Sequence, residues 1–271
     1  MTDHADLILT NTLPAHQLTR NAPPEALVLE IILNRPDKRN ALTPDMLRDI
    51  RAHIDTPPTT NIRAILIRAN GRAFSAGFDL QLCHDDPTAL EQLLRELGAL
   101  LHSIRTAPLP VIIGAHTAAI AGASAILAAA DLVIADQSAK LGYPVVRIGL
   151  SPAISAPALI DATTHNAARA RLLNPELTTP NDSPVAPVSD RCGRGRIPVH
   201  ITVDTPEDVT PRAQTEAAFL AAKPPHALAQ TKRWLNTLDS SLKQHLAAAA
   251  LDASLSTTNT PEQRALLARA L

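Results

Sequence analysis
Residues 109–135, LPVIIGAHTAAIAGASAILAAADLVIA, limit what this chain can fold into more than any other stretch. Leu109 to Ala115 is an apolar, β-branched run with the length of a buried strand. Leu132 to Ala135 reads as a second strand. Between them, Gly122 opens a run of Ala and Leu with strong helix propensity. A strand that hands its chain to a helix N-terminus leaves backbone N–H groups without partners, backed by the helix dipole. A glycine at that point lets another group approach the backbone closely. An oxyanion hole needs this geometry.

The rest of the chain alternates strand-like and helix-like runs. Leu7 to Thr10 reads as a short strand and Pro14 to Pro24 as a loop. Ala26 to Leu33 is a strand, followed by a charged turn from Asn34 to Asn40. Thr43 before Pro44 is an N-cap signature, so a helix is predicted from Pro44 to about Ile54. Ile62 to Arg68 is a strand, and residues 82–88 read as a loop. Leucines at 90, 93, 94, 97, 100 and 101 mark one helical face over Ala89 to Arg105. A short strand is expected near Lys140-Leu141, then broken helix from Ala153 to Arg171. Residues 174–198 are rich in Pro, Asp, Ser and Gly and read as a loop. Val199 to Val203 suggests a strand. Helices are expected over Pro211 to Ala222, Pro224 to Leu238, Ser240 to Ser254 and Pro261 to Leu271, with a helix start at Thr205-Pro206-Glu207-Asp208.

Composition narrows the function classes. A formal charge of −1 supplies no basic field for nucleic acid. Two cysteines, Cys83 and Cys192, make neither a disulfide framework nor a metal cluster. The acidic start, Asp3 and Asp6, is unlike a signal peptide. The central run alone approaches the roughly 18–20 apolar residues of a membrane span, and His116, Thr117, Gly122 and Ser124 interrupt it. The expectation is a cytoplasmic protein with no membrane and no nucleic-acid partner. Aromatic residues are only 2% of the chain, so aliphatic side chains must fill the core.

Four segments carry a resemblance: Asn34 to Leu42 (NRPDKRNAL), Gly71 to Leu80 (GRAFSAGFDL), His116 to Asp131, and Leu141-Gly142-Tyr143-Pro144 through Ile148-Gly149-Leu150. In order and spacing they resemble the crotonase superfamily, the enoyl-CoA hydratase/isomerase family, from about residue 5 to about residue 160. The C-terminal third matches poorly. The resemblance implies an α/β fold, the ClpP/crotonase spiral core of repeated ββα units with a helical C-terminal region. The core would occupy 1–200, with 201–271 a helical cover that trimerises. A homotrimer or hexamer is implied, and an acyl-CoA ligand whose coenzyme A is part of the substrate, with no tightly bound cofactor and no metal.

Carried onto this chain, the resemblance makes the backbone N–H groups of Phe78 and Gly122 the oxyanion hole for a thioester carbonyl. Such a donor contributes about 3–4 kcal/mol to a developing enolate. Lys38, Arg39, Ala41 and Ala76 fall in the loops that would contact CoA, with Lys232, and less directly Arg233, reaching from the C-terminal helices. Cations suit phosphates, and a solvated charged turn or helix face is the plainer reading of the same residues.

The chain also departs from the family. A hydratase there uses two glutamates to position water and move protons. Here those positions are Ala125 and Val145. The next family option for an acid falls near Ala153, and the glycines usual after Pro152 are replaced by Ala153-Ile154-Ser155-Ala156. The polar groups left near the pocket are Ser124, Tyr143, His84 and Arg147. Tyr143 and His84 are the candidate proton donors or bases, each with a structural alternative: a packed phenol and a surface histidine. Arg147 could hold a substrate carboxylate, with a structural ion pair to Asp79 or Asp131 as the plainer reading if it is buried. His116, Ser75 and Ser151 read as structural. Three functions stand at this point: an acyl-CoA lyase or isomerase without the two-glutamate chemistry, a silent acyl-CoA binder, and, remotely, a ClpP-like serine hydrolase through Ser124. No Gly-x-Ser-x-Gly elbow supports the last.

Overall fold
Near-continuous runs of Val, Ile and Leu, such as Leu27 to Leu33 and Ile62 to Ala69, suit strands buried on both faces. In the computed structural model, which describes residues 6–181, 197–238 and 244–271, those runs form the centre of one sheet. Its strands are β1 (Ile8–Pro14), β2 (Leu27–Leu33), β3 (Ile62–Ala69), β4 (Val111–Ala115), β6 (Leu132–Asp136) and β8 (Ile201–Val203), in that spatial order. Only β1 is antiparallel to its neighbour; the other pairings are parallel. Two further strands, β5 (Ala118–Ile120) and β7 (Lys140–Gly142), pair in parallel as a separate ribbon.

The period of two in each strand divides the core. Leu29, Ile31 and Leu33 of β2, with Ile65 and Ile67 of β3, face helices α1 (Pro44–Asp55), α3 (Ala89–Thr106) and α4 (Gly122–Ala129) in the larger apolar cluster. Val28, Leu66, Ile112 and Ile134 face the other way, onto Val209, Ala213, Ala217, Ala218 and Ala221 of α7 (Pro206–Ala221). The small side chains let α7 lie close: a Cβ on Gly114 would come 3.1 Å from the Ala213 methyl. Glu30 shares this second face at 0% exposure and is bonded by Arg68, Gln214 and Asn11.

The boundary expected at residue 200 therefore falls inside the sheet, since β8 pairs with β6 and α7 covers the second face. The loop expected at 82–88 is in part helix: α2 (Leu80–Asp85) is capped by Asp79, whose carboxylate accepts from Leu82 N–H. β1 runs on to Pro14, beyond the expected end at Thr10, and β5 was not expected at all. The helix start expected at Thr205-Pro206-Glu207-Asp208 is borne out by a Thr205–Asp208 capping box, and it and the run expected from Pro211 form one helix, Pro206–Ala221. The broken stretch after Pro152 is a 3₁₀ turn at Ala153–Ser155, α5 (Ala156–Ala162) and α6 (His165–Leu173). Within 174–198, residues 174–181 run beside β7, where Thr178 and Leu141 exchange two backbone bonds; residues 182–196 lie outside the described residues. The chain closes with α8 (Pro225–Leu238), α9 (Gln244–Leu255) and α10 (Pro261–Ala270). No helix among the described residues is long and apolar enough to cross a membrane.

Candidate active site
Two loops meet where β5 ends. The first, 71–79, is stitched to β4 and β5. Phe74 N–H donates to His116 O, Ser75 N–H to Ala118 O, and Ile120 N–H back to Ser75 O. The buried Ser75 hydroxyl donates to Asn40 O and accepts from Gly77 N–H. Gly77 has φ +92°, and a Cβ there would stand 2.8 Å from the Ile120 carbonyl oxygen, so the turn requires glycine. Just beyond it, Leu42 N–H donates to Gly77 O and Asp79 N–H to Leu42 O. Those bonds turn Phe78's neighbours toward Leu42 and leave its own N–H facing the other way, without an acceptor among the described residues.

The second loop ends at Ala121, the N-cap of α4, with φ +53° and ψ −112°. This is sparsely populated backbone for an L-residue. Ala121 O accepts from Ala125 N–H and starts the helix, so Gly122, its first residue, has an N–H with no intrahelical acceptor. The two residues are neighbours: the Phe78 ring packs on Gly122, where a Cβ would lie 2.7 Å from Cε1 of Phe78. Both residues line one cavity of about 20 Å³. Its walls are otherwise apolar apart from Tyr143, Ser151 and Ser155, and among the described residues no carboxylate, histidine, lysine or arginine lines it.

Tyr143 is 2% exposed, and its hydroxyl has no hydrogen-bond partner among the described residues. Burial pushes its pKa well above the ordinary phenol value, against a smaller opposite pull from Arg171. It can offer a hydrogen bond, and it holds its proton too tightly to act as a base. Val145 lines the cavity, while Ala125 is wholly buried in the core side of α4. Ser124 is committed: its hydroxyl donates to Ala119 O and accepts from Gly142 N–H, clipping β5 to β7. That clip leaves no lone hydroxyl for a serine nucleophile.

Other candidates lie apart from the cavity. His84 is on α2 with its side chain 47% exposed, beside Asp85 at 3.1 Å, and it does not line the cavity. Lys232, on α8, turns its amine inward to Ile104 O, Leu109 O and Asp131 Oδ2 at 2.9, 3.1 and 2.6 Å. Burial lowers its pKa, and Asp131 opposes that shift. The amine is thus occupied by the protein itself. Arg233 bonds Gln230 on its own helix. Arg147 pairs with Glu176 on the surface, 54% and 67% exposed, instead of with Asp79 or Asp131. Those two acids already hold Arg35 and Lys232. His116 bonds Gly71 O, and Ser151 Oγ accepts from Ala153 N–H.

Lys38 and Arg39 are exposed on the 34–42 turn, and this turn packs on the 71–79 loop. Ala76 N–H donates to Arg39 O, and the Arg35 guanidinium joins Ala41 O to Asp79. Burial raises the Asp79 pKa, but the Leu82 N–H and Arg35 outweigh it and hold the carboxyl below its ordinary value. The organiser that sequence reading left without a role is Asn40. It is buried with φ +52°; its amide donates to Asn70 O and Ala73 O, and its oxygen accepts from Arg35 N–H. An asparagine inside a turn otherwise charged was the available signal, since asparagine tolerates left-handed backbone.

A family model described as enoyl-CoA hydratase/isomerase matches residues 24–265. The chain belongs to the enoyl-CoA hydratase/isomerase family. A Thermus thermophilus protein named "Putative enoyl-CoA hydratase" is 34% identical over 163 residues, 55% of this chain and 61% of that protein. The Danio rerio "Enoyl-CoA hydratase domain-containing protein 3, mitochondrial" is 33% identical over 134 residues, 47% of this chain and 46% of that one. The alignments thus span about half to three-fifths of these curated relatives. Among solved structures, an enoyl-CoA hydratase/isomerase from Xanthobacter autotrophicus Py2 superposes with a TM-score of 0.79 at 26% identity, covering 98% of this chain and 93% of the other. The crotonase fold follows from these matches.

Proposed function
We propose that this protein binds an acyl-CoA thioester with its carbonyl oxygen between the N–H groups of Phe78 and Gly122, and that it does not use the two-glutamate hydratase chemistry. The observation that carries the reading is the pairing of two unpartnered backbone donors with a cavity that, among the described residues, no carboxylate, histidine, lysine or arginine lines. Such a site stabilises an enolate oxygen but cannot itself remove a proton from carbon. Reactions that form the enolate without a protein base fit it best. Decarboxylation of a malonyl-type thioester is one: the C–C bond breaks, carbon dioxide leaves, its electron pair becomes the enolate, and solvent supplies the proton. An isomerase that borrows a substrate group for proton transfer is another. Lys38 and Arg39, on the turn that packs on the 71–79 loop, suit the CoA phosphates, with Ala41 and Ala76 at the join of the two loops. The trimer or hexamer belongs to the same proposal, supported by Trp234, Leu235 and Leu238, which α8 leaves 57–69% exposed. The absence of a carboxylate or imidazole among the described lining residues also favours a second reading, a silent acyl-CoA binder.

Calorimetric titration with CoA, acetyl-CoA, crotonyl-CoA and malonyl-CoA, with mass spectrometry on each mixture, separates these. Loss of carbon dioxide from malonyl-CoA, or an isomerised product, supports the enzyme. Binding with every thioester intact supports the binder. Hydration of crotonyl-CoA at an ordinary enzymatic rate refutes the first reading, and failure to bind any thioester refutes both.

A further inference from the structure
Gly77 is the residue best placed to unsettle the candidate donor at Phe78. It comes just before Phe78 at φ +92°, and glycine has the widest backbone freedom of any residue. The peptide between the two carries the Phe78 N–H, so rotation about Gly77 re-aims that group as one planar unit. The structure holds Gly77 at both ends. Its carbonyl oxygen accepts from Leu42 N–H at 2.7 Å, and its N–H donates to Ser75 Oγ at 3.1 Å. Of the five consecutive N–H groups from Ser75 to Asp79, four have acceptors: Ala118 O, Arg39 O, Ser75 Oγ and Leu42 O. The N–H of Phe78 is the one left over among the described residues.

Three of those four acceptors are backbone carbonyls, which no side-chain substitution deletes. Ser75 Oγ is the exception. Ser75 is 0% exposed, so bulk water does not reach this bond. A hydroxyl has one proton to give. Ser75 gives it to Asn40 O at 2.8 Å, which leaves only lone pairs to face Gly77 N–H. Asn40 O is itself a fixed target. Asn40 is 0% exposed at φ +52°, and its amide donates to Asn70 O and Ala73 O at 2.8 and 2.9 Å. Asn40 and Leu42 both belong to the 34–42 turn that carries Lys38 and Arg39. One turn thus sets Gly77 from both sides, directly through Leu42 and from Asn40 through Ser75.

We propose that Ser75 is a positioning residue for the oxyanion hole: its hydroxyl fixes Gly77 to the 34–42 turn and so fixes the direction of the Phe78 N–H. This rests on the acyl-CoA reading above and adds to it the group that sets one of the two donors. The test is isotope-edited infrared difference spectroscopy of acetyl-CoA carrying carbon-13 at the thioester carbonyl. Hydrogen bonds to that oxygen lower its stretching frequency, so the band reports the donors and not the stability of the fold. The proteins are wild type, Ser75→Ala, Ser75→Cys and Thr163→Ala. Thr163 supplies the stability control: it is 0% exposed, its hydroxyl donates to Leu159 O at 2.6 Å, and it does not line the cavity at Phe78. In wild type the bound band should lie below that of free acetyl-CoA. Ser75→Ala should lose about half of that displacement, because it loosens one donor of two, and acetyl-CoA affinity should fall about fivefold while that of CoA stays within about twofold. Ser75→Cys, whose thiol is a weak donor and acceptor, should fall between the two and carries the test if Ser75→Ala does not fold. Thr163→Ala should lower the melting temperature and keep the whole displacement. A full wild-type displacement in Ser75→Ala, or in Ser75→Cys where only that variant folds, overturns the proposal, and so does an equal loss in Thr163→Ala. If acetyl-CoA binds wild type and its band does not move, the oxyanion reading itself fails; if no thioester binds, the acyl-CoA reading fails; the proposal falls with either.

Discussion

Gly77→Ala is the sharpest test of how the site is built. At φ +92° an L-residue carries about 1–3 kcal/mol of backbone strain. The new methyl also arrives 2.8 Å from the carbonyl oxygen of Ile120. That oxygen is backbone, and the N–H of the same peptide, Ala121 N–H, is held by Gly142 O at 2.8 Å, so it cannot rotate away. Overpacking of this kind costs roughly 1–3 kcal/mol. The stiffer unfolded chain returns about 0.4–1 kcal/mol. The net loss is then about 1–5.5 kcal/mol. With an unfolding entropy of about 2.1 cal/mol/K per residue over 271 residues, the melting temperature should fall by roughly 2–10 °C. Relief of the clash must also move Phe78, the next residue, so turnover of whichever thioester proves to be the substrate should drop by about a hundredfold or more. Scanning calorimetry and thioester titration measure both effects. Gly98→Ala is the control, because its added methyl meets only the end of the Ile154 side chain and its helical backbone gains propensity. A Gly77→Ala melting temperature within a degree of wild type, with unchanged thioester binding, would refute the account of the loop.

Other substitutions probe separate parts of the structure. Lys232→Met should destabilise by about 2–4 kcal/mol in urea titrations, because Asp131 loses its cation and two carbonyls lose a donor. CoA affinity of the folded variant should stay within about twofold, and a tenfold loss would return Lys232 to the ligand. Tyr143→Phe should stabilise the unliganded protein by about 1 kcal/mol, since it deletes a buried hydroxyl with no partner, and it should weaken thioester binding; a lowered melting temperature would count against this description of the hydroxyl. Glu30 gives a pH test. Burial raises its pKa, but the bonds from Arg68 and Gln214 outweigh this and leave the folded value below the unfolded one. Its contribution is therefore present above about pH 4.3 and is lost as the pH falls through the folded pKa. Urea midpoints of wild type and Glu30→Gln should differ by about 2–3 kcal/mol at pH 7 and converge toward pH 3. A difference that does not change with pH would show that the charge of Glu30 contributes nothing.

What could be read from the sequence were the features written in a few adjacent residues. The β-branched runs of β2, β3 and β4, the Thr43-Pro44 cap and the leucine face of α3 are local, and each gave its element to within about two residues. Gly122 at the head of α4 could be read for the same reason. Features set by long-range packing could not. α2 was hidden because His84, Asp85 and Asp86 look like a loop, whereas the apolar Cys83 packs inward and Asp79 caps the helix. β5 is three residues whose strand character comes from pairing with β7, not from propensity. Lys232 in a Lys-Arg pair looks like a wet helix face, yet its partners lie 101 to 128 residues earlier in the chain. Ile154 shows the same limit at the site. Its sequence marks only a departure from the glycines of the family, and only the fold shows that the side chain lines the cavity at Phe78 and Gly122. The site's strain has a similar origin. Gly77 and Ala121 both hold positive φ, and Gly77 closes on the backbone just before Ala121. Glycine meets that demand at no steric cost, but alanine at 121 does not. The structure thus keeps an unfavourable backbone at the residue that frees the Gly122 N–H. Strain of this kind persists only where the surrounding bonds over-determine it: here Ala121 N–H to Gly142 O and Ala125 N–H to Ala121 O hold the turn from both sides.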